Sequence, residues 1–278
     1  MLGLQIEGDG KTGYVLKEQD AEAHAWTSSG VPLISHAGGG FLELQADGQR
    51  VQHTYTNAKE PFVASYNKGF RVIEMDFQLS EDGVLCALHG WKRFGGKTDA
   101  DSWKDIKVDG QYASMTMEDV LKEMAVNRDL YLVTDMKSYE WTDEEVTEQY
   151  QKIYEQALQY GGDQLAGRII PQIYEQSEYE IIKEVYEWPS IIYTLYKSDK
   201  IPNEDIVSFV EDKTDIQVVT VPKRRVDEEF CGMLHDAGKT VYTHTINDTD
   251  KLYEWMNQGV DGFYTDTMTP AGYLARYQ

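Results

Sequence analysis

Two acidic residues two positions apart, Glu74 and Asp76, have the type and spacing that best suit chemistry in this sequence. They lie in the stretch 71–77, which is rich in β-branched and aromatic residues and predicts a β-strand. Because alternate side chains of a strand point to the same face, both carboxylates should project together, roughly 7 Å apart along the chain. Two buried negative charges are costly unless a cation neutralises them. The pair therefore suggests a metal site, although an E-x-D pair taken alone is more often a solvated sheet edge.

Four further candidate residues also come at or just beyond the ends of predicted strands. His36 precedes three glycines, His89 closes a short apolar run, and Asp135 is followed two positions later by Lys137. With Asp135 the sequence offers three carboxylates, and hard oxygen ligands suit Ca²⁺ or Mg²⁺ better than zinc. Two histidines beside such a cation suit proton transfer in phosphoryl chemistry, and a lysine there would stabilise charge on a phosphate.

The elements that must position these residues alternate regularly between strand and helix. Eight strands in such an alternation predict an α/β fold, a (β/α)₈ TIM barrel, whose active site lies at the carboxyl ends of its strands. The predicted strands cover 31–36, 72–77, 130–135, 169–174, 190–196, 216–221, 239–245 and 261–265. Helices are predicted over 57–68, 116–127, 142–160, 177–188, 203–210, 227–237 and 249–258.

Two parts of the chain are expected to stand outside this alternation. Residues 1–30 are polar and predict a peripheral segment with a short helix at 21–26, so that 31–278 forms a single barrel domain. The apolar run before His89 and the weakly periodic stretch 91–114 predict a small β-hairpin and loop insertion after the second strand. The stretch 91–114 would then form a lid beside the site.

Composition narrows the classes of partner. The 278 residues contain 26 Lys plus Arg and 48 Asp plus Glu, which gives a net charge of −22. Such a charge repels nucleic acid and anionic membrane surfaces, so a small-molecule substrate is expected and nucleic acid is not. Two cysteines are too few for a disulfide framework or a cysteine-ligated zinc site. No apolar run approaches the length of a membrane span, and the N-terminus has no signal-peptide pattern, which favours a cytoplasmic protein without stable membrane insertion. The oligomeric state is left open.

Taken in order, the motifs resemble those of the glycerophosphodiester phosphodiesterases, a family of the phosphatidylinositol-phospholipase-C-like barrel superfamily. The first half of the chain carries a histidine before glycines, a T-N pair, E-x-D and a histidine after the hairpin, here His36 to Gly39, Thr56-Asn57, Glu74 to Asp76 and His89. Downstream, Asp135 to Lys137, Tyr242 to Asn247 and Gly259 to Asp266 resemble the family's acid-x-Lys, T-x-N and closing strand. The resemblance covers residues 31 to 270.

This resemblance implies a role for each matching residue. Glu74, Asp76 and Asp135 would hold a divalent metal, Ca²⁺ or Mg²⁺, while His36 and His89 would form the acid/base pair. Lys137 would contact the phosphate. The implied reaction, part of glycerol and lipid metabolism, is hydrolysis of a glycerophosphodiester to an alcohol and sn-glycerol 3-phosphate.

Three more residues are candidates for substrate binding: Gln172 and Thr194 on the fourth and fifth strands, and Asn247. Gln172 and Thr194, like their neighbour Tyr193, could line the pocket or equally fill the barrel, and Asn247 could instead cap the following helix. Two positions depart from the family pattern, since Ala37 stands where many members have arginine and Gly90 where many have aspartate.

Alternative functions also follow from the sequence. One is a phospholipase-type enzyme of the same superfamily acting on a lipid or polymer phosphodiester, which a broad apolar surface near 91–114 would favour. Trp91, Phe94 and Trp103 are the aromatic residues that could supply it. Others are a barrel that binds such ligands without turning them over, against which the histidine pair speaks, and a sugar isomerase suggested by fold alone.

Overall fold

Eight parallel strands form a closed barrel in the computed structural model, which describes residues 4–8, 14–18, 26, 32–44, 48–138 and 141–277. The order of the strands around the barrel follows the chain, and the last strand pairs with the first. The barrel strands are β3 (Leu33–Ser35), β6 (Val72–Leu79), β10 (Tyr131–Asp135), β11 (Ile169–Ile173), β12 (Ile191–Thr194), β13 (Ile216–Thr220), β14 (Thr240–Thr243) and β15 (Gly262–Thr265). The predicted TIM barrel is thus confirmed.

In the part of the chain that the structure describes, eight helices follow the barrel strands and pack on their outer faces, and one further helix, the second in the chain, lies in the insertion after β6. They are α1 (Lys59–Asn67), α2 (Ala100–Asp105), α3 (Met117–Val126), α4 (Asp143–Ala166), α5 (Glu178–Val185), α6 (Asn203–Val210), α7 (Glu228–Asp236), α8 (Leu252–Met256) and α9 (Pro270–Tyr277). Capping boxes at Thr116 and Thr142 begin α3 and α4, as their sequences predict. Helix α4 was predicted to end before Gly161, but it continues to Ala166 across a non-helical Gly162. Burial of Leu165 and Ala166 in the core favours this extra turn.

Strand β6 shows how the barrel separates its core from its chemistry. Its outward side chains Ile73, Met75 and Phe77 join the large core cluster that includes residues of the surrounding helices. Its inward side chains change from Val72, in the apolar cluster inside the barrel, to the acids Glu74 and Asp76 at the mouth. Alternate residues of the strand thus face outward and are all apolar. The residues that face inward are apolar at the start of the strand and acidic near its carboxyl end.

The N-terminal segment contributes a buried aromatic residue to the barrel interior. Trp26 is 2% exposed and lies edge-on to Tyr242 with ring centroids 5.7 Å apart. Strands β1 (Leu4–Gly8) and β2 (Tyr14–Glu18) form an antiparallel pair. The helix predicted at 21–26 otherwise lies outside the described residues, and the boundary between a segment 1–30 and a domain 31–278 stays a prediction.

The insertion after β6 is more structured than the loop that was predicted. Strand β7 (Leu85–Ala87) pairs antiparallel with β6, as predicted for the hairpin. The stretch 91–114 then forms a 3₁₀ turn at Trp91–Phe94, helix α2, and a short hairpin of β8 (Lys107–Val108) and β9 (Tyr112–Ala113). A second hairpin that was not predicted, β4 (Phe41–Leu44) with β5 (Arg50–His53), precedes α1. These elements are too short for their periodicity to be visible in the sequence.

The aromatic residues of this insertion pack against one another. Trp103 is fully buried, and the rings of Trp91 and Phe94 lie 5.5 and 4.9 Å from it. The indole N–H of Trp103 donates to the Met115 carbonyl at 2.8 Å. These three rings form an internal core and do not supply the apolar surface expected of a lipid-binding enzyme. Among the described residues there is also no helix long and apolar enough to cross a membrane.

Candidate active site

A cavity of about 740 Å³ opens at the carboxyl ends of the barrel strands. Eight of the nine candidate residues named from the sequence line it, which are His36, Glu74, Asp76, His89, Asp135, Lys137, Gln172 and Thr194. These side chains come from five barrel strands, the loops that follow them and the hairpin arm, so closure of the barrel brings them together. The volume is within the range usual for small-molecule sites.

The three acids form one cluster because of strand register. Asp135 of β10 pairs with Asp76 of β6, and Glu74 lies one inward position deeper on β6. One oxygen of each carboxylate lies within 4.8 Å of the others. All three residues are buried. Removing three negative charges from water costs free energy unless nearby cations compensate for it.

Lys137 supplies part of this compensation. Its ammonium contacts Asp135 and lies 2.8 Å from Asp76 Oδ1. The Tyr174 hydroxyl donates to Asp135 Oδ1 at 2.7 Å. Burial alone would lower the pKa of Lys137, but Asp135 and Asp76 outweigh it and raise the pKa. Lys137 is therefore a fixed positive charge at the base of the cavity.

Glu74 receives less compensation than its neighbours. Its Oε2 accepts the Ala37 N–H at 2.7 Å. Burial, followed by repulsion from Asp76, raises the pKa of Glu74 above its ordinary value, although His36 and the Ala37 N–H act against this. For Asp76, burial acts to raise the pKa, but Lys137 and His89 outweigh it and the pKa is lowered. The cluster thus has a deficit of positive charge on the Glu74 side.

This deficit and the donor set fit a divalent cation. Three carboxylates converge on one point, and Ca²⁺ and Mg²⁺ prefer such hard oxygen ligands. Glu74, Asp76 and Asp135 could hold the ion, with Lys137 remaining beside Asp76 and Asp135. The residues present therefore agree with the metal site that the sequence predicts.

His36 is held by a residue that the sequence reading did not assign to the site. Its Nδ1 lies 2.8 Å from Asp266 Oδ1, and Asp266 follows the last barrel strand β15. Burial acts to lower the pKa of His36, but the hydrogen bond to Asp266 and the charges of Glu74, Asp266 and Asp76 outweigh it and raise the pKa to about 8. The surrounding acids therefore favour the protonated form of His36. The position of Asp266 at the end of a strand was the available sequence signal.

Asn247, the ninth candidate, does not line the cavity but acts on Asp266. Its Nδ2 donates to Asp266 Oδ2 at 2.7 Å, and its Oδ1 accepts the Asp266 N–H at 2.8 Å. The next helical turn is instead capped by Asp248, whose side chain accepts from Asp250 N–H. Asn247 is thus placed to orient Asp266, and through it His36.

The loop after β3 depends on two glycines and on Asn57. Gly38 and Gly39 have φ values of +73° and +99°, and a Cβ on Gly39 would lie 2.0 Å from Ser65 Oγ. Asparagine is a common helix-capping residue and Asn57 lies just before α1, but its side chain does not cap this helix. Instead its Nδ2 donates to Asp76 Oδ2 at 2.9 Å while its Oδ1 accepts the Asp76 N–H at 3.0 Å. Asn57 therefore supports the acidic cluster, while the Thr56 hydroxyl donates to the Gly39 carbonyl at 2.9 Å and so holds the glycine loop.

Tyr55 lies between the two histidines. Its ring meets His36 edge-on at 4.8 Å and His89 at 4.9 Å between centroids. Arg93 of the insertion donates to the Tyr55 carbonyl at 2.7 Å. The ring separates the two imidazoles across the cavity mouth. No motif or periodicity in the sequence around Tyr55 indicated that it would lie in the site.

The two departures from the family pattern have different structural settings. Ala37 is fully buried with φ +50°, so a long side chain there would need a different loop. A Cβ at Gly90 would meet no atom within 4 Å. An aspartate could therefore be accommodated at position 90.

The fold and site together define a (β/α)₈-barrel hydrolase with an acidic cluster and a histidine pair at its mouth. The model of the glycerophosphoryl diester phosphodiesterase family matches residues 52–269. The chain belongs to this family, which confirms the resemblance seen in its motifs.

Several solved structures share the fold of this chain. A candidate glycerophosphodiester phosphodiesterase from Galdieria sulphuraria is 16% identical, with a TM-score of 0.68 over 88% of this chain and 97% of that one. A glycerophosphodiester phosphodiesterase from Parabacteroides distasonis is 15% identical, with a TM-score of 0.66 over 89% and 98%. A phosphodiesterase from Oleispira antarctica, in complex with the product sn-glycerol-3-phosphate, is 17% identical, with a TM-score of 0.66 over 88% and 96%. No curated protein matches the sequence.

Proposed function

We propose that this enzyme is a metal-dependent phosphodiesterase that hydrolyses glycerophosphodiesters to an alcohol and sn-glycerol 3-phosphate, a reaction of glycerol and lipid metabolism. The observation that carries the proposal is the convergence of a carboxylate cluster, a partly buried lysine and two histidines on one cavity. Family membership and the product complex of the Oleispira antarctica phosphodiesterase support the same substrate class.

The base of the cavity would bind the phosphate. Glu74, Asp76 and Asp135 would hold Ca²⁺ or Mg²⁺, which when bound supplies positive charge beside the phosphate oxygens. Lys137 would donate a hydrogen bond to the phosphate from its position next to Asp76. Gln172 and Thr194 line the same cavity and would contact the glycerol or the alcohol.

The two histidines would move the protons of the reaction. Because Asp266 engages Nδ1 of His36 and its pKa is raised to about 8, His36 suits the role of acid and would donate from Nε2 to the departing alcohol oxygen. His89 would accept a proton from the attacking water as the water oxygen bonds to phosphorus and the bond from phosphorus to the alcohol breaks. His89 is exposed, so it can then lose this proton to solvent.

The test is hydrolysis of glycerophosphocholine and glycerophosphoethanolamine with added Ca²⁺ or Mg²⁺, with and without EDTA. We expect EDTA to abolish release of glycerol 3-phosphate and His36→Ala to lower kcat by roughly 100-fold or more. The matched control is His235→Ala, because His235 is also paired with an aspartate, Asp261, but does not line the cavity. Hydrolysis that survives EDTA would refute the role of the metal, and an unchanged kcat in His36→Ala would refute the role of the histidine.

A further inference from the structure

The cavity has a second polar wall that the proposed chemistry does not use. Tyr196, Lys223, Arg224 and His244 line it, from the segments that follow β12, β13 and β14. In the order of strands around the barrel, β13 lies four places from β6, and so on the opposite side of the mouth. Lys223 and Arg224 therefore face the acidic cluster across the cavity.

The two cations of this wall keep most of their hydrogen-bonding capacity. Lys223 Nζ donates to the Thr245 carbonyl at 2.7 Å, which uses one of its three donors. Arg224 Nη2 lies 2.5 Å from Asp199 Oδ1, and its guanidinium carries four further N–H groups. The Arg224 guanidinium also lies 5.7 Å from the centre of the Tyr196 ring, and its side chain is 51% exposed. Donors thus remain for a ligand in the cavity.

His244 adds a neutral polar group to the same wall. Its ring lies 5.7 Å from that of Tyr196 and 5.5 Å from that of Tyr264, and the described residues offer it no hydrogen bond. Burial lowers the pKa of His244 to about 3, and the charges of His36, Lys137, Lys223 and Arg224 act in the same direction. A neutral imidazole can donate one hydrogen bond to a ligand.

The charge of this wall contrasts with that of the chain. The protein carries a net charge of −22, which repels anions at long range. Of the other cationic groups of the cavity, Lys137 is already engaged by Asp76 and Asp135, and His36 by Asp266. Lys223 and Arg224 are therefore the cations of the described cavity that remain to receive an anionic group other than the reacting phosphate.

We infer that this wall binds a second anionic group of the substrate, so that the preferred glycerophosphodiesters are those whose alcohol carries a phosphate or carboxylate. The inference rests on the proposed function, because it assigns the alcohol half of the same substrate. With the reacting phosphate at the base near Lys137, the alcohol would extend toward β13. The cavity of about 740 Å³ has room for both groups.

The test compares two diesters that differ in one phosphate: glycerophosphoinositol and glycerophosphoinositol 4-phosphate. We expect wild-type kcat/KM to be roughly tenfold or more higher for the phosphorylated diester, which is the usual effect of a charge-assisted hydrogen bond. Arg224→Gln and Lys223→Gln should each lower this ratio. Added salt should lower it too, since the wall is open to solvent.

The matched control is Arg276→Gln, because Arg276 also forms an exposed pair with an aspartate, Asp250, but does not line the cavity. It should leave the ratio unchanged. Equal wild-type kcat/KM for the two diesters, or an equal fall in the ratio in Arg276→Gln, would overturn the inference.

If neither inositol diester is hydrolysed, the wall is judged by binding alone, while the proposed function is judged separately by hydrolysis of glycerophosphocholine and glycerophosphoethanolamine. Calorimetry with the two intact diesters would then decide. Tighter binding of the phosphorylated diester that is lost in Arg224→Gln would support the inference, and equal affinity for the two would overturn it.

Discussion

The pair formed by His36 and Asp266 gives the sharpest prediction for the reaction. The pKa of His36 is raised from 6.5 to about 8 although the side chain is buried. At about 1.36 kcal/mol for each pKa unit, this amounts to about 2 kcal/mol in favour of the imidazolium. Because burial opposes the rise, the electrostatic contribution of the neighbouring acids exceeds this net value. Asp266 contributes both a hydrogen bond and a charge, so removing its charge should cancel most of the rise.

We therefore predict that Asp266→Asn lowers the alkaline limit of activity. An acid catalyst is active below its pKa, so wild-type kcat/KM should fall as the pH rises through the pKa of His36, which Asp266 holds above its ordinary value of 6.5. In Asp266→Asn the pKa of His36 falls, so the alkaline limb of the pH profile, where kcat/KM declines, should move by about one pH unit or more toward acid. At pH 7.5 we also expect kcat/KM to drop by about 10- to 100-fold, the usual cost of losing a partner that orients a functional histidine.

The assay is a pH profile of kcat/KM for glycerophosphocholine at saturating divalent metal. Asp261→Asn is the matched control. Asp261 Oδ2 lies 2.8 Å from His235 Nε2, and neither residue lines the cavity. Its alkaline limb should coincide with that of the wild type. A limb that stays in place in Asp266→Asn would show that His36 is not the acid whose ionisation limits the reaction.

Two further predictions concern residues that support the site. Asn57→Ala removes the hydrogen bond to Asp76 Oδ2 and leaves the buried Asp76 N–H unpaired. The free energy of unfolding should therefore fall by about 2–3 kcal/mol. Urea unfolding with EDTA present measures this change, and an unchanged midpoint would contradict the prediction. Tyr55→Leu removes the ring that contacts both histidines and should lower kcat/KM more than Tyr55→Phe does; steady-state kinetics compares the two, and equal losses would point to the hydroxyl instead.

The sequence was most informative where periodicity and strand ends coincide. A period of two placed Glu74 and Asp76 on one face, and the rule that barrel enzymes use the carboxyl ends of strands placed Asp135 beside them. Both expectations agree with the observed register, in which Asp135 pairs with Asp76. The same rule also made Gln172, Tyr193 and Thr194 candidates. Gln172 and Thr194 line the cavity, whereas Tyr193 lies in the core cluster outside the barrel.

The sequence was less informative where a side chain acts far from its own segment. Asn57 has the type and position of a helix cap, yet it hydrogen-bonds a strand 19 residues away. Asp266 contacts a histidine 230 residues earlier, and only closure of the barrel between β15 and β3 makes them neighbours. Such partners have no periodic signal, because the contact depends on register across the whole sheet.

Lys223 and Arg224 show why local charge and net charge must be considered separately. In the sequence they belong to the short basic run 223–225, which is too small to offset a net charge of −22 or to suggest nucleic acid. In the barrel they follow the strand opposite the acidic cluster and line the cavity mouth, where they can contact a bound ligand directly. A strongly acidic protein can thus favour an anionic substrate at its site, while its long-range field slows the arrival of that substrate. Discrimination between the two inositol diesters should accordingly reside in the site, whereas added salt should speed the encounter with both and weaken the preference for the phosphorylated one.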